Sequence, residues 1–90
     1  MNVIINIIGT EIRLKQQVSI DPASSTLKDI LRVLKVQYAG YLERFIKDDF
    51  TPVEGSVVLI NGRNVWSLDR FETRIHDGDE LTFTVLVAGG

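Results

Sequence analysis

Two short β-branched segments, one near each end of the chain, place the strongest constraint on the fold. Residues 3–8 are apolar at every position except Asn6, which is typical of a central strand covered on both sides. Residues 81–87 place Thr82 and Thr84 between apolar side chains, as a strand with one core face does. A chain of 90 residues forms one hydrophobic core, so both segments must join the same fold around it.

A long helical pattern lies between the two end segments. Thr26 precedes Asp29 by three residues, an acidic variant of the capping box, and predicts a helix that begins there. Apolar residues follow at spacings of three and four, which is the period of one helix face. This stripe, predicted as part of the core, consists of Leu27, Ile30, Leu31, Leu34 and Tyr38. Gly40 is predicted as the C′ residue that ends the helix.

The remaining segments predict two hairpins and the loops between them. Residues 12–20 alternate apolar and polar side chains, with Gln16 as a polar break, and pair with the first strand as a hairpin. Residues 56–60 predict a strand, Asn61-Gly62 a type I′ turn, and residues 63–66 the returning strand. The other segments are predicted as a short helical turn (41–46), a surface loop (48–55), an irregular crossing (68–75) and a tight turn (77–80).

This order of elements predicts an α+β fold: hairpin, helix, hairpin, irregular crossing and final strand. A mixed sheet wrapped over one main helix satisfies that order, with the two end strands as neighbours at the sheet centre. Such a sheet and helix form the β-grasp, or ubiquitin-like, fold. The expected division is a β-grasp domain over residues 1–87 and a flexible Ala-Gly-Gly tail over residues 88–90.

Composition argues against several function classes. The chain has no cysteine, which rules out disulfides, thiolate metal sites and a cysteine nucleophile within it. Its ten basic and twelve acidic residues are scattered, and without a basic block no nucleic-acid partner is expected. The seven glycines form no phosphate-binding motif, and His76, the only histidine, predicts no metal site. No segment reaches the length of a membrane span, so the expected location is the cytoplasm, away from membranes.

The C-terminal residues Ala88-Gly89-Gly90 carry the strongest functional signal. They follow the last predicted strand directly, so the Gly90 carboxylate is expected at the end of a short stalk. Glycine has no Cβ, and an extended glycine pair is the narrowest peptide that can enter a slot in a partner. A frayed terminus without function is the alternative interpretation. Because glycine loses much conformational entropy when it is ordered, the thin ending favours a function that needs it.

The second half of the chain resembles a known family of carrier proteins. Three segments are similar to the small subunit of molybdopterin synthase (MoaD): Leu59-Ile60-Asn61-Gly62-Arg63, Asp77-Gly78-Asp79-Glu80-Leu81 and Val87-Ala88-Gly89-Gly90. The wider group includes the thiamine sulfur carrier ThiS and the ubiquitin-related modifiers. The resemblance covers most of the second half specifically, and the first half matches in element order.

The resemblance implies a cycle that partner enzymes run. An E1-like enzyme would adenylate the Gly90 carboxylate with ATP, and a sulfur donor would convert it to a thiocarboxylate. The large subunit of a synthase, or another acceptor, would then take the sulfur, with molybdopterin (molybdenum or tungsten cofactor) biosynthesis as the favoured route. The chain is then a cosubstrate that binds no cofactor itself and is not catalytic alone, with Ala88 and Gly89 threading the tail into each partner.

The tail sequence leaves alternative functions open. MoaD-type carriers often have a Pro-Pro pair before the final Val-Ala-Gly-Gly, whereas this chain has Val85-Leu86, which is nearer to the thiamine carrier. A protein modifier that is joined through Gly90 to lysines of its targets fits the same fold. So does a ubiquitin-like interaction module that uses no tail chemistry.

Partner docking is predicted on the sheet face away from the helix, where a carrier would present an apolar patch. In the last strand, Leu86 lies on the phase opposite the expected core residues Leu81 and Phe83. Leu86 is therefore predicted to be partly exposed on that patch, and Trp66 or Phe71 to join it.

Overall fold

The computed structural model describes residues 1–9, 12–21, 26–65 and 68–85. The strands and α-helices follow one another as β1 (Asn2–Ile8), β2 (Arg13–Ser19), α1 (Leu27–Gln37), α2 (Ala39–Leu42), β3 (Ser56–Ile60), β4 (Arg63–Asn64) and β5 (Glu80–Val85). A short 3₁₀-helix, Arg70–Glu72, lies in the crossing before β5. The predicted boundary between residues 1–87 and 88–90 falls outside the described ranges, so that division stays a prediction.

The strands form one mixed sheet in the order β2-β1-β5-β3-β4. β1 and β5 are parallel neighbours at its centre, while the β1–β2, β3–β5 and β3–β4 pairs are antiparallel. The prediction that the two end segments pair at the sheet centre is confirmed. Together with α1 packed on one face, the sheet gives the predicted α+β, β-grasp architecture.

One face of the sheet, called the inner face here, packs against α1 and forms the core. Its fully buried residues come from alternate positions of the central strands, as a pleated strand requires. The inner-face residues are Val3, Ile5, Ile7, Val58, Ile60, Leu81 and Phe83. Four residues of the predicted helix stripe meet them and are fully buried: Leu27, Ile30, Leu31 and Leu34. Burying each such side chain stabilises the fold by about 1.5–3 kcal/mol, which makes this interface the main source of stability.

The prediction that β1 is covered on both sides is wrong. Its positions alternate between buried Val3, Ile5 and Ile7 and half-buried Ile4 and Ile8. The described part of the chain places the single long helix α1 over one face, so the opposite side chains of β1 retain contact with solvent. An apolar run therefore marked the central position of the strand correctly but not the coverage of its two faces.

The predicted start of α1 is confirmed by its cap. Thr26 has an extended backbone, and its Oγ1 accepts a hydrogen bond from the Asp29 amide at 3.3 Å. The Thr26 hydroxyl in turn donates to Asp29 Oδ2 at 2.9 Å, so two hydrogen bonds join these residues at the start of the helix. The predicted end is wrong, because Gly40 lies inside α2 instead of serving as the C′ residue. Tyr38 is the C-cap, and its amide donates to the Leu34 carbonyl.

The second half of the sheet follows the predicted turns closely. Asn61 and Gly62 both have positive φ, at 50° and 83°, as a type I′ turn requires. β4 is shorter than the predicted strand over residues 63–66, and Trp66 lies outside the described residues. The helical turn predicted over residues 41–46 begins earlier, as α2, and continues as non-helical turns that bury Phe45 and Ile46.

The start of β5 is fastened to the β3–β4 turn by side chains. Asp79 accepts hydrogen bonds from the His76 amide at 2.8 Å and from the Asn61 side-chain amide at 3.0 Å. Asn61 Oδ1 accepts from the Glu80 amide at 2.9 Å. The predicted tight turn over residues 77–80 is confirmed, with Gly78 at a φ of 87°. These contacts fix the end of the sheet at which β5 begins and leave the other end for the tail that follows it.

Candidate functional site

The C-terminal tail is attached to the centre of the sheet. Val85, the last residue of β5, pairs with Ser56 of β3, and β5 is also hydrogen-bonded to β1. Ala88, Gly89 and Gly90 lie outside the described residues, as does Leu86, so their predicted roles stay predictions. What the structure describes is the platform from which the tail extends. A peptide spans at most about 3.3–3.6 Å per residue, so the surface around Val85 is the surface that a partner at the tail would meet first.

The sheet face opposite α1, called the outer face here, is the candidate docking surface. Its members occupy the strand positions between the buried inner-face residues and therefore point away from the core. On the three central strands they include Ile4, Asn6, Ile8, Val57, Leu59, Glu80, Thr82 and Thr84. Asn6 confirms the shared side by donating a hydrogen bond to Thr82 Oγ1 across β1 and β5 at 3.2 Å.

Strand register arranges the outer face in rows across the sheet. Ile8 lies opposite Thr84, which lies opposite Val57, and this row is the one nearest to Val85. The next row, further from the tail, consists of Asn6, Thr82 and Leu59 in the same way. In the row beside the tail, Ile8 and Thr84 are half-buried and Val57 is only 9% exposed, while the following row contains a polar pair.

Charged side chains border the outer face on the β2 side. Arg13 lies opposite Ile8 in the β1–β2 register and is exposed. Lys15 Nζ lies 3.9 Å from Glu80 Oε2, with side chains 70% and 39% exposed. A pair so open to water contributes little to stability. Charge thus lies along the β2 edge and, through Glu80 opposite Ile4, at the end of the outer face away from Val85.

The loop before β3 contains an acidic pair, Asp48 and Asp49. Each carboxylate interacts with a neighbouring residue. The Asp49 carboxylate accepts hydrogen bonds from the Thr51 hydroxyl at 2.6 Å and from the Thr51 amide at 3.1 Å. These bonds favour the ionised form and lower the pKa of Asp49 below its ordinary value. Asp48 lies 3.6 Å from Lys35 Nζ. The two carboxylates are thus engaged by their own loop and by α1, and they form no shared acid–base site.

Neither a metal centre nor a membrane helix is found in the described ranges. There, no three histidine, aspartate or glutamate side chains are grouped so that they could hold a metal ion. The described helices also include none that is long and apolar enough to span a bilayer.

Comparison with known protein families decides the classification of the chain. The model of the ThiS family matches residues 5–90, nearly the whole sequence. The chain belongs to the ThiS family. This membership confirms the resemblance of the second half to ThiS and MoaD, and it places the chain among the ubiquitin-like sulfur carriers and modifiers.

Two relatives of this ThiS-family chain show the breadth of the group. Small archaeal modifier protein 3 of Haloferax volcanii is 39% identical over 66 residues, which cover 73% of this chain and 71% of the relative. An Archaeoglobus fulgidus protein named as a candidate sulfur carrier is 31% identical over 71 residues, covering 79% and 81%. One relative is thus named as a modifier and the other as a carrier.

Solved structures agree with the fold of this ThiS-family chain. Small archaeal modifier protein 1 of Haloferax volcanii superimposes with a TM-score of 0.73 at 22% identity, covering all of both chains. One chain from the complex of subunits 1 and 2 of the Helicobacter pylori molybdopterin-converting factor matches with a TM-score of 0.65 at 18% identity. The match covers all of this chain and all of that chain. The BexX/CysO complex of Amycolatopsis orientalis gives 0.71 at 23% identity, covering 98% and 99%. Two of these three structures are complexes with another protein.

Of the three docking residues predicted for the ThiS-family chain, the structure describes one, Phe71. Leu86 and Trp66 lie outside its ranges. Phe71 belongs to the 3₁₀-helix that lies beside α1, and it packs half-buried against the core, so its docking role stays a prediction. Sequence reasoning missed Ile8 and Leu59 as outer-face residues. The available signal was that a fold with one long helix can cover only one face of an apolar strand.

Proposed function

We propose that this chain is a sulfur carrier whose Gly90 carboxylate is adenylated and then converted to a thiocarboxylate. The observation that carries the proposal is the Ala88-Gly89-Gly90 ending of a ThiS-family chain, attached to the central strand β5. A tail on a central strand has a rigid base, because β5 is held by neighbours on both sides. A rigid base and a thin end suit the delivery of one carboxylate to an enclosed site.

The proposed chemistry proceeds in two steps, the first at the α-phosphorus of ATP and the second at the terminal carbonyl carbon. An oxygen of the Gly90 carboxylate attacks the α-phosphorus of ATP, and pyrophosphate leaves. Hydrosulfide supplied by the donor then attacks the acyl carbon of the adenylate, and AMP leaves with the bridging oxygen, which gives the terminal thiocarboxylate without a change of oxidation state. The thiocarboxylate sulfur forms a bond to the acceptor, and water then cleaves the bond between the acyl carbon and sulfur, which leaves the sulfur on the acceptor and restores the Gly90 carboxylate.

The chain depends on partners for each of these steps. Its sequence contains no cysteine to accept sulfur and no glycine-rich motif for the phosphates of ATP. An E1-like enzyme would therefore supply the ATP site, and a separate donor the sulfur. We assign docking to the outer face, in particular to the row of Ile8, Thr84 and Val57 nearest the tail. Two of the fold neighbours were solved in complex with a second protein, which supports the proposal that this chain binds protein partners.

Molybdopterin biosynthesis is the favoured destination of the sulfur. Its support is the similarity of the segments around Asn61-Gly62 and Asp77-Gly78 to MoaD, together with the fold match to the molybdopterin-converting factor. Protein modification is the second candidate, because the modifier from Haloferax volcanii shares 39% identity with this chain. The two functions share the adenylated tail and differ in the nucleophile that receives it, sulfur in one and a lysine amine in the other.

Intact-protein mass spectrometry of the chain purified from its own cells tests the proposal. The expected result is a fraction in which one terminal oxygen is replaced by sulfur, increased by the activating enzyme with ATP and a sulfur donor. A chain that lacks Gly90 is the matched control and should show no such fraction. Lysine-linked adducts without any thiocarboxylate would assign the chain to the modifiers. Absence of both products under activating conditions would contradict tail chemistry altogether.

A further inference from the structure

Strand β2 forms one edge of the sheet, with β1 as its single strand neighbour in the described part of the chain. It is seven residues long, whereas β4 at the other edge has two residues, so β2 offers the longer row of backbone groups. The outermost strand of a sheet presents amides and carbonyls that can pair with a further strand. β2 is therefore the edge at which another strand could join the sheet.

The hydrogen-bonding phase of β2 follows from the residue pair that precedes its ladder with β1. Met1 and Ile20 exchange both backbone hydrogen bonds, at 2.8 and 2.7 Å. Such pairs alternate with pairs that exchange none along an antiparallel ladder, and the register runs on from there without a break. Every second residue of β2 therefore turns its amide and carbonyl away from β1. These residues are Arg13, Lys15, Gln17 and Ser19.

The side chains on this phase make the outer-face side of β2 basic. Arg13 and Lys15 are exposed and share the outer face with Ile8 and Asn6, the β1 residues opposite them. β2 contains no acidic residue. Lys15 lies 3.9 Å from Glu80, but its side chain is 70% exposed and can meet a second carboxylate. In a chain with a net charge of −2, this local positive charge favours an acidic partner.

The inner-face side of the same edge is apolar. Leu14 packs against the core there and is half-buried. Tyr38, the C-cap of α1, is also half-buried against the core, and its hydroxyl donates to Gln16 Oε1 at 2.5 Å. That bond brings the Tyr38 side chain to β2 and engages the one polar residue on this side of the strand. A strand added to β2 would thus meet apolar surface on one face and positive charge on the other.

We propose that the β2 edge binds an extended segment of a partner protein in which acidic and apolar residues alternate. The segment would pair antiparallel with β2, with its acidic side chains near Arg13 and Lys15 and its apolar ones near Leu14 and Tyr38. Because side chains of a strand alternate between the two faces, the edge would recognise the alternation itself. This binding is independent of the proposed chemistry at Gly90.

A second copy of this chain fits the β2 edge less well than an acidic segment does. Two paired copies of β2 would gather the basic side chains of both strands on one face and supply no carboxylate to balance them. Basic residues on an edge strand discourage such self-pairing. The same residues attract a strand of opposite charge, which is why the proposed occupant is acidic.

Amide-resolved NMR titration of the full chain with a capped peptide of about eight alternating glutamate and valine residues tests this site. Saturable shifts are expected at Arg13, Lys15 and Gln17, with no binding of the matching lysine–valine peptide. A chain that lacks Gly90 should bind like the parent, which separates this site from the tail chemistry. Equal binding of both peptides, or shifts that do not saturate or centre on another surface, would overturn the proposal. So would shifts of these amides that follow the concentration of the chain alone, because they would assign the edge to a second copy.

N-methylated peptides test whether the bound segment joins the sheet. In the proposed pairing, the glutamate amides face β2 and the valine amides face solvent. Methylation of a central glutamate amide should therefore weaken binding at least about tenfold, because a hydrogen bond is lost and the methyl group separates the strands. Methylation of a central valine amide leaves every side chain and the β2 side of the peptide unchanged and should be tolerated. Equal losses in the two peptides would contradict strand pairing.

Two variants and one control separate the β2 edge from general charge attraction. Arg13→Glu should weaken binding of the glutamate–valine peptide about tenfold, because a repulsion replaces an attraction. Arg44→Glu makes the same change at an exposed position outside β2 and should leave binding unchanged. Gln17→Pro removes an amide that points away from β1, so the chain should still fold, as circular dichroism would show, but lose the peptide. Equal losses in Arg13→Glu and Arg44→Glu, or full binding by Gln17→Pro, would contradict the proposal.

Discussion

The inner and outer faces of the sheet carry the same residue types but bury them to different extents. On β1, Ile5 and Ile7 point to the inner face and are completely buried, while Ile4 and Ile8 point to the outer face and are half-buried. All four are isoleucines in one strand, so neither propensity nor hydrophobicity distinguishes them. The difference is the presence of α1 on one side. Packing decides which isoleucines hold the fold and which remain available to a partner.

Core packing explains the apolar residues of the inner face but not those of the outer face, which α1 does not cover. A sheet with one solvated face usually alternates apolar and polar residues, as β2 does with Arg13 and Lys15. On β1 and β3, Ile4, Ile8 and Leu59 break that rule on the outer side. A partner that covers them, as proposed above, would give the reason. Of the three, Ile8 lies in the row beside Val85 and would connect that partner to the tail.

The largest stability effect should come from the inner face. Ile5→Ala removes a fully buried side chain at the sheet centre and should lower the free energy of unfolding by about 2–5 kcal/mol. Ile8→Ala, the matched change on the outer face, should cost about 1 kcal/mol or less, because its site is half-open to water. Urea denaturation followed by circular dichroism measures both. Equal losses would show that the two faces are equally structural.

The outer face should respond most in partner binding. Ile8→Asp places a charge in the row beside the tail and should weaken binding to the activating enzyme at least about tenfold, the loss expected for a central interface residue. Leu86→Asp, suggested by the sequence, should behave in the same way. Val36→Asp is the control, because Val36 is apolar, 82% exposed and on α1. Calorimetric binding that is unchanged in Ile8→Asp, or equally weak in Val36→Asp, would place the docking surface elsewhere.

The cap of α1 should affect stability without affecting partner binding. Thr26→Ala removes the acceptor of the Asp29 amide and should cost about 1 kcal/mol of unfolding free energy. Thr26→Ser keeps the hydroxyl and should recover most of the loss. Affinity for the activating enzyme should equal that of the parent in both variants. Weaker binding by Thr26→Ala, in proportion to its loss of stability, would contradict the expectation that the cap of α1 affects stability alone.

The smallest effect is expected in the loop before β3, which belongs to neither face. Because hydrogen bonds from Thr51 lower the pKa of Asp49 in the folded state, its ionised form adds stability above the ordinary aspartate pKa. That contribution disappears as the pH falls through the lowered folded value. Asp49→Asn should therefore be slightly less stable than the parent at neutral pH and equal to it in strong acid. A difference that widens in acid would reverse the assigned sign.

Local sequence signals predicted those elements whose causes are local. The Thr26 cap, the stripe from Leu27 to Leu34, the strand Ser56–Ile60 and the Asn61-Gly62 turn all rest on neighbours within a few residues, and the structure confirms them. The prediction of Gly40 as the C′ residue failed, because the glycine that follows α1 is part of the next helix, α2. Its backbone is not in the left-handed region that a C′ glycine adopts.

Features that depend on distant parts of the chain could not be predicted in the same way. The exposure of Ile8 depends on which face of the sheet α1 covers, and no short-range pattern carries that information. A pocket between the β3–β4 turn and the crossing before β5 brings Arg63 together with Thr73 and Asp79, which are distant in sequence. The tail differs again, since its predicted role rests on the residue types of Ala88-Gly89-Gly90 and on family membership.

The proposed function places all of the chemistry at the Gly90 carboxylate. ATP–pyrophosphate exchange with the E1-like enzyme of the same organism tests it most directly, using the parent and a chain that lacks Gly90. The deletion moves the carboxylate back by about 3.3–3.6 Å, and chemistry at such sites is sensitive to displacements of about 1 Å. The deleted chain should melt like the parent but support no exchange. Exchange at the parent rate would contradict the proposed function and leave the chain as an interaction module.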